Sequence, residues 1–546
     1  MRARVTSSFA WILLFALQAQ AGAPVVAQTA QATTAPPERS LSLEEAVAMA
    51  LEHNESIVIQ REDLVSSEAA GLRAHGAYDP LLGVQADYLR SNEPVNSPFS
   101  GAPAPRAAPT FKTYETLFSL DQLLPTGGSL AFRANASRQT TDGTFVLLTP
   151  AYGTRVGVEF RQPLLRGLSI DPARLALKVA AADRSRSAAS LRKEVTRIVA
   201  AVEDGYWSLV SARQAVGVRE EAVGLADEQL SQTRARVDQG AAPKTEISQP
   251  TAEIERRRGE LYAAHEALSR SENALKRLIY DAGNVSLWVP RLAPADDPNI
   301  IPERVDSQDL ENTMKRALDQ RPELAESKAE IERRRAEAAF ADNLRKPGLD
   351  AFVSYDRLGL SGDLVDPLPP SLADPNVPLT VPSYIEGGLG RSLAQLGEGR
   401  FDDTRAGVVL SVPIGNRAAR GEAGIAAAAK RQAEAGLDGV RKMVLAEVLD
   451  AAAGVDTAAQ RVETARAARE AAGVQLSAEH DRYVAGLSTN FLVLTRQNDL
   501  SNARLEEIAA LTDYRRARTE MARATGSLLE ERRIQVEDGA GGKDAK

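Results

Sequence analysis

The sequence predicts an α+β membrane fold: a transmembrane antiparallel β-barrel shared between copies of the chain, joined to a long α-helical coiled-coil barrel. Three observations carry that prediction. Apolar residues recur every seventh position over very long stretches, other stretches alternate apolar with polar, and the order of landmarks occurs twice. These are the signatures of coiled-coil packing, of strands with two unlike faces, and of a duplicated unit.

The duplication sets the frame. Leu51-Glu-His-Asn-Glu-Ser-Ile57 lines up with Leu318-Asp-Gln-Arg-Pro-Glu-Leu324, and at the same offset Pro80 meets Pro347 and Tyr88 meets Tyr355. Further on, Pro163 corresponds to Pro413, and Arg236-Val-Asp-Gln-Gly240 to Arg482-Tyr-Val-Ala-Gly486. One repeat is expected over residues 41–280 and the other over 307–530, with a Pro-, Asp- and Asn-rich linker at 281–306. Flexible segments are expected at 28–40 and 531–546.

Each repeat opens with a helix, about 42–75 and 307–345. Ser42 is a suitable N-cap, and Glu45 three residues later completes a capping box. The period then changes to two. Val84, Ala86 and Tyr88 alternate with Gln85, Asp87 and Leu89, and Val156, Val158 and Phe160 face away from Arg155, Gly157 and Glu159. Strands are expected within 82–161, around 84–89, 114–122, 129–138 and 153–161, and again within 349–413, at 349–357 and 404–413. Runs of about nine to eleven residues are long enough to cross a bilayer when tilted. Alternation alone serves a soluble sheet equally well. Long Pro- and Gly-rich loops at 91–112 and 358–403, against the tight turn Leu124–Gly128, give the end-to-end asymmetry of outer-membrane barrels.

After Pro163 and Pro413 the seven-residue repeat takes over. Val195, Val202, Leu209, Val216, Val223, Leu230 and Val237 form one series, and Val448, Val455, Val462, Arg469, Leu476 and Tyr483 its counterpart. Past the glycine turns come Ile247, Ile254, Leu261, Leu268 and Leu275, and then Val493, Leu500, Glu507, Tyr514 and Met521, where Glu507 breaks the pattern. Helical hairpins are expected over 171–279 and 421–529, the first arm roughly 100 Å long. Pro250, near the start of the first return helix, makes the first tip the looser of the two.

Composition narrows the class. Arg2 and Arg4 precede an apolar stretch ending in small residues near Ala27, a secretory signal peptide over 1–27. Its removal takes the formal charge from −8 to −10, which opposes nucleic-acid binding. No later apolar run suffices for a membrane helix. If the strands do cross a membrane, four in the first repeat and two in the second cannot close a barrel alone, and open edges in lipid cost several kcal/mol per unpaired group. The chain must then oligomerise. Whether the extra strand pair joins the barrel or forms a separate hairpin stays open at this point.

These residues resemble the TolC-like outer-membrane efflux proteins over nearly the whole mature chain. The resemblance rests on Leu41-Ser-Leu-Glu-Glu-Ala46 with Ala50-Leu51-Glu-His-Asn54, Gln162-Pro-Leu-Leu-Arg-Gly167, Ser411-Val-Pro-Ile414 and Arg482-Tyr-Val-Ala-Gly-Leu-Ser-Thr489. No single motif is decisive; their order, spacing and duplication are. The resemblance implies a homotrimer in the outer membrane of a Gram-negative-type cell, with the helices as a periplasmic tunnel. It implies a passive duct for efflux or type I secretion, with outer-membrane lipid around it and a periplasmic adaptor and inner-membrane pump docked at the helical tips. Arg236, Gly240, Ala241, Arg482, Gly486 and Leu487 then fall at adaptor-contacting positions, and Tyr483 and Glu246 at the aperture. Three aperture positions depart from well-known members: Leu492 and Thr495 stand where those carry acids, and Ser488 where they carry an arginine.

No enzyme is expected. The four histidines are scattered, cysteine is absent, and neither a phosphate loop nor a nucleophile elbow occurs, so no catalytic residue, metal site or cofactor is predicted. A periplasmic coiled-coil scaffold without channel activity would explain the helices but leave the strand blocks without a purpose.

Overall fold

The computed structural model describes residues 38–95, 101–106, 108–297, 299–304, 309–369 and 379–536. The signal peptide, residues 28–37 of the N-terminal segment and residues 537–546 of the tail lie outside them. The chain begins with β1 (Glu38–Leu41), α1 (Leu43–His53) and α2 (Glu55–His75), then β2 (Leu81–Ser91), β3 (Phe111–Leu123), β4 (Ser129–Thr141) and β5 (Leu148–Pro163). The long helix α3 (Pro172–Asp238) returns through α4 (Ser248–Ile279) to β6 (Arg291–Pro294). The second half runs α5 (Leu310–Gln320), α6 (Pro322–Asn343), β7 (Gly348–Leu364), α7 (Leu389–Glu398), β8 (Phe401–Ser411), α8 (Arg417–Val484), α9 (Asn490–Thr525) and α10 (Leu528–Glu531).

Six strands form one antiparallel sheet in the order β2-β3-β4-β5-β7-β8, so the additional pair of strands is part of the same sheet and not a separate hairpin. The register sorts its faces. Val84 lies opposite Phe118, Phe118 opposite Ala134, Ala134 opposite Val156, and Phe132 opposite Val158 and Leu120. With Leu82, Tyr88, Val353, Tyr355, Val408 and Leu410 these make one face apolar, yet Val84 is 62% exposed and Val408 68%. The other face is polar and laced with ion pairs and hydrogen bonds: Arg133–Asp121 at 3.5 Å, Arg405–Asp403 at 2.8 Å, and Asn135 donating to Glu115 at 2.9 Å. A soluble sheet hides its apolar face beneath another layer; here it is bare over most of its area. Helices α2, α3, α6 and α8 all join the sheet at one end, which also carries the tight turn at 124–128, while the other end carries the segments between β2 and β3, β4 and β5, and β7 and β8.

The long helices follow the heptads. Val195, Val202, Leu209, Val216 and Leu230 on α3 are buried, as are Val448, Val455 and Val462 on α8. The two breaks in the second hairpin find each other: Glu507 on α9 bonds Arg469 on α8 at 3.1 Å, with Arg466 adding a second contact at 3.5 Å. Asp171 caps α3 by accepting from the Arg174 amide at 2.8 Å, ahead of Pro172, whose missing N–H costs nothing in a first turn. The bulkiest core lies at the waist, where Tyr206, Trp207, Ile198 and Leu209 of α3 meet Leu41, Ile57, Leu275, Ile279 and Leu292.

Several expectations need correction. The first helix of each half is not continuous. Asn54 leaves helical geometry and caps α2 through its side chain, and Arg321 precedes Pro322, which disfavours helix at the residue before it. The capping box of Ser42 and Glu45 is present. The segment expected to be flexible at 28–40 contributes Glu38–Ser40 to β1, because β1 pairs in parallel with β6, a strand inside the expected linker. The tail expected from 531 is anchored at its start: Arg532 reaches the buried carboxylate of Glu203, and Ile534 and Val536 pack on the waist core. β7 continues to Leu364, where a loop was expected from 358. The same segment carries α7, held by Ser392 on Thr154 and by Gln395 on both backbone groups of Leu360.

Candidate functional site

The two hairpin tips are built by the same local rule. α3 ends with Gly240 in the left-handed region at φ 73°, its amide donating to Val237 O and that of Ala241 to Arg236 O. α8 ends with Gly486 at φ 73°, its amide donating to Tyr483 O and that of Leu487 to Arg482 O. Both are Schellman motifs, in which the residue past the cap must take a positive φ that glycine adopts without a steric penalty. Beyond this shared turn they diverge. The first tip needs residues 239–247, including a 3₁₀ turn over Lys244–Ile247, before α4 begins, whereas α9 starts after residues 485–489. Pro250 sits in the first turn of α4, where a proline is tolerated.

Side chains diverge more than backbones. The second tip exposes Val484, Leu487 (81%), Phe491 and Leu492. The first exposes Ala241, Pro243, Lys244, Thr245 and Glu246. Arg236 and Tyr483, one from each tip, are brought together. Arg236 Nη1 donates to the Tyr483 hydroxyl at 2.7 Å, and its guanidinium carbon lies 5.5 Å from the ring centroid. Glu246 sits exposed in the 3₁₀ turn. Ser488 donates to Glu479, which also meets Arg482 at 3.7 Å, so a serine–glutamate contact occupies the place where the resemblance would put an arginine. Thr495 bonds back to Phe491 O within α9 and Leu492 points outward, so neither offers an acidic group.

A residue the sequence reading passed over fastens the first hairpin to the second. Arg257, flanked by Arg256 and Arg258 in the sequence, is 2% exposed. It donates to Ala222 O on α3 at 2.7 Å, to Leu494 O on α9 at 3.4 Å, to Gln497 at 3.3 Å and to Glu253 at 2.7 Å. Burial pushes the Glu253 carboxyl up, but its bonds to Arg256 and Arg257 override that and hold it below the ordinary carboxylate range. Only position could have revealed this arginine: Arg257 lies three residues after the heptad residue Ile254, on the same helix face. Among the described residues no group of His, Cys, Asp and Glu could hold a metal ion, and no helix is long and apolar enough to cross a membrane.

Residues 122–279 and 313–527 match the outer membrane efflux protein family, well over half the chain. The chain belongs to that family. Its members are transport proteins of the outer membrane, not enzymes. The match begins at Gln122, leaving β2 and nearly all of β3 outside it. Among solved structures, the CmeC outer membrane channel of Campylobacter jejuni is 15% identical, with 89% of this chain and 86% of that one aligned at a TM-score of 0.60. VceC from Vibrio cholerae is 16% identical over 89% and 96% of the two chains at 0.58. The open-state MtrE outer membrane channel of Neisseria gonorrhoeae is 13% identical over 89% of each at 0.59. At these identities the three outer-membrane proteins share the fold of this chain. No curated protein matches it in sequence.

Proposed function

We propose that this chain is the outer-membrane duct subunit of a tripartite efflux or type I secretion system, working as a homotrimer. The observation that carries the reading is the six-stranded sheet. It has one bare apolar face for lipid, one ion-paired face for water, two free edges, and every long helix hanging from one end. Free edges in lipid are untenable, so neighbouring copies must supply the missing strands. The helices then project into the periplasm as a tunnel, with the apolar second tip offered to an adaptor and its inner-membrane pump. Conduction is passive: the tips part by sliding past one another, and the pump supplies the energy. Two structural repeats per copy, over 41–280 and 307–530, make the tunnel wall nearly uniform around the pore.

Membrane fractionation followed by native mass of the detergent-extracted protein tests this. A trimer in the outer-membrane fraction is expected. A soluble periplasmic monomer would overturn the reading and return the chain to the class of coiled-coil scaffolds.

A further inference from the structure

Among the described residues, β2 pairs only with β3 and β8 only with β7, so each presents a row of unpaired N–H and C=O groups on its far side. The two edges are equal in length, Leu81–Ser91 and Phe401–Ser411. They run in opposite directions, since β2 leaves the helix end of the sheet and β8 returns to it. On the reading that three copies surround one pore, we infer that β8 of each copy pairs with β2 of the next in one definite register. Val84 stands opposite Val408, and three six-stranded sheets close an eighteen-strand barrel.

Chemistry selects this register. With Val84 opposite Val408, Leu82 meets Leu410 and Ala86 meets Ala406 on the lipid face, Arg90 meets Asp402 at its outer margin, and Asp87 meets Arg405 on the water face. A slip of one residue would turn every apolar side chain of one strand into the pore. A slip of two in one direction sets Asp87 against Asp403 and Arg90 against Arg400, and like charges directly opposite are destabilising. A slip of two in the other direction leaves Asp87 facing Gly407 and Arg90 facing Thr404, and both ion pairs are lost.

Barrel geometry narrows the choice independently. Following cross-strand partners from Val84 leads through Phe118, Ala134, Val156 and Arg357 to Asp402 on β8. In the inferred register Asp402 faces Arg90 of the next copy, so the row climbs from position 84 to position 90 per copy, one residue per strand. At ~3.3 Å per residue against ~4.8 Å between strands, that stagger tilts the strands by about 35°, within the range of membrane barrels. The slip that opposes like charges would give about 25°, outside that range, and the other slip about 43°. Geometry thus leaves two registers and the charges choose between them.

The girth also fits. Helices α2, α3, α6 and α8 pack side by side where they meet the sheet. Twelve such helices at ~9 Å spacing make a ring about 108 Å around, against about 105 Å for eighteen strands at this tilt. The wall therefore continues from helix to strand without a taper and encloses a pore about 34 Å across between backbones.

The chain has no cysteine, so paired substitutions can be read without background. Val84→Cys with Val408→Cys in the full-length protein, oxidised in outer membranes, is expected to yield covalent trimers that a reductant separates, while either single variant gives none. Val84→Cys with Leu410→Cys is expected to crosslink at least tenfold less. Efficient crosslinking of the Leu410 pair instead would overturn the register. A native trimer in which neither pair crosslinks would overturn the eighteen-strand seam and leave the duct reading standing. Protein that extracts as a monomer would remove the reading on which the seam rests.

Discussion

The two helical tips share a backbone and little else. Each closes with a glycine at φ 73° and the same pair of amide-to-carbonyl bonds, yet one tip is a longer polar loop and the other a short turn crowned with Val484, Leu487 and Phe491. The comparison separates two kinds of requirement. Reversing a long helix demands a particular backbone, met the same way in both places. Meeting a partner demands a particular surface, and only the second tip carries an apolar one. The first tip is instead tied inward, to the second hairpin, by a buried arginine.

That asymmetry predicts unequal responses, the largest at Arg257. Arg257→Ala leaves Glu253 without one of its two cations and leaves the carbonyls of Ala222 and Leu494 short of a donor in a buried place. Breaking such a cluster costs about 3 kcal/mol. Hydrogen exchange is expected to rise along the outer turns of α3 and α4 and hardly at all along α8; equal loosening of both hairpins would sink the idea that the clamp is specific to the first. The same clamp has a pH dependence with a definite sign. Because the folded carboxyl of Glu253 is held low, its contribution is complete above the ordinary Glu value of about 4.3 and is lost as pH falls below it. Acid is therefore expected to loosen this clamp, read as a loss of hydrogen-exchange protection along α4.

Next in size is the exposed surface. Leu487→Asp places a charge in the apolar crown and is expected to weaken adaptor binding about tenfold or more, the effect of losing a central contact. Ala241→Asp, at the matching position of the first tip, is expected to change it less than threefold. Titration of each variant with the purified adaptor measures both, and equal losses would mean that the two tips contribute alike.

Much of this was legible in the sequence, and the parts that were not share a physical reason. Heptads such as Val195 to Leu230, the capping box at Ser42 and the glycine turns are local patterns, set within one or two turns of chain. The period-two runs likewise foretold both faces of the sheet. What stayed hidden depends on contacts between distant segments. β1 and β6 are four residues each and look like tail and linker until they pair. The helix α7 sits in a segment whose Gly and Pro content reads as loop, and it is held by Ser392 and Gln395 buried on the sheet instead of an apolar stripe. Glu507 was visible as a break in the heptads, but that Arg469 answers it across the hairpin depends on register, which periodicity does not fix.

The shared backbone allows a matched test. Gly240→Ala and Gly486→Ala each force a left-handed residue with a side chain, at about 1 kcal/mol, and no atom lies near enough to either new Cβ to add a clash. Equal small losses in stability are expected from thermal unfolding. A much larger loss at one tip would mean that its glycine also serves a close approach made only between copies of the chain.

The smallest expected effect falls on the contact between Arg236 and Tyr483. Arg236 and Tyr483 are both solvent-accessible, so their hydrogen bond and cation–π contact together contribute about 0.5–1 kcal/mol. Tyr483→Phe keeps the ring beneath the guanidinium and loses only the hydroxyl acceptor, whereas Tyr483→Ala loses both. If this contact restrains opening, leakage of a small dye or antibiotic through the channel rises modestly in the phenylalanine variant and further in the alanine variant, with adaptor affinity unchanged in the first. A contact of this strength biases an equilibrium without locking it, as a gate opened by a partner requires. A short thiol crosslinker spanning Arg236→Cys and Tyr483→Cys replaces that bias with a covalent tie and is expected to stop export. Export that continues through crosslinked tips would show that the opening lies elsewhere, and the comparison between the tips would then concern docking alone.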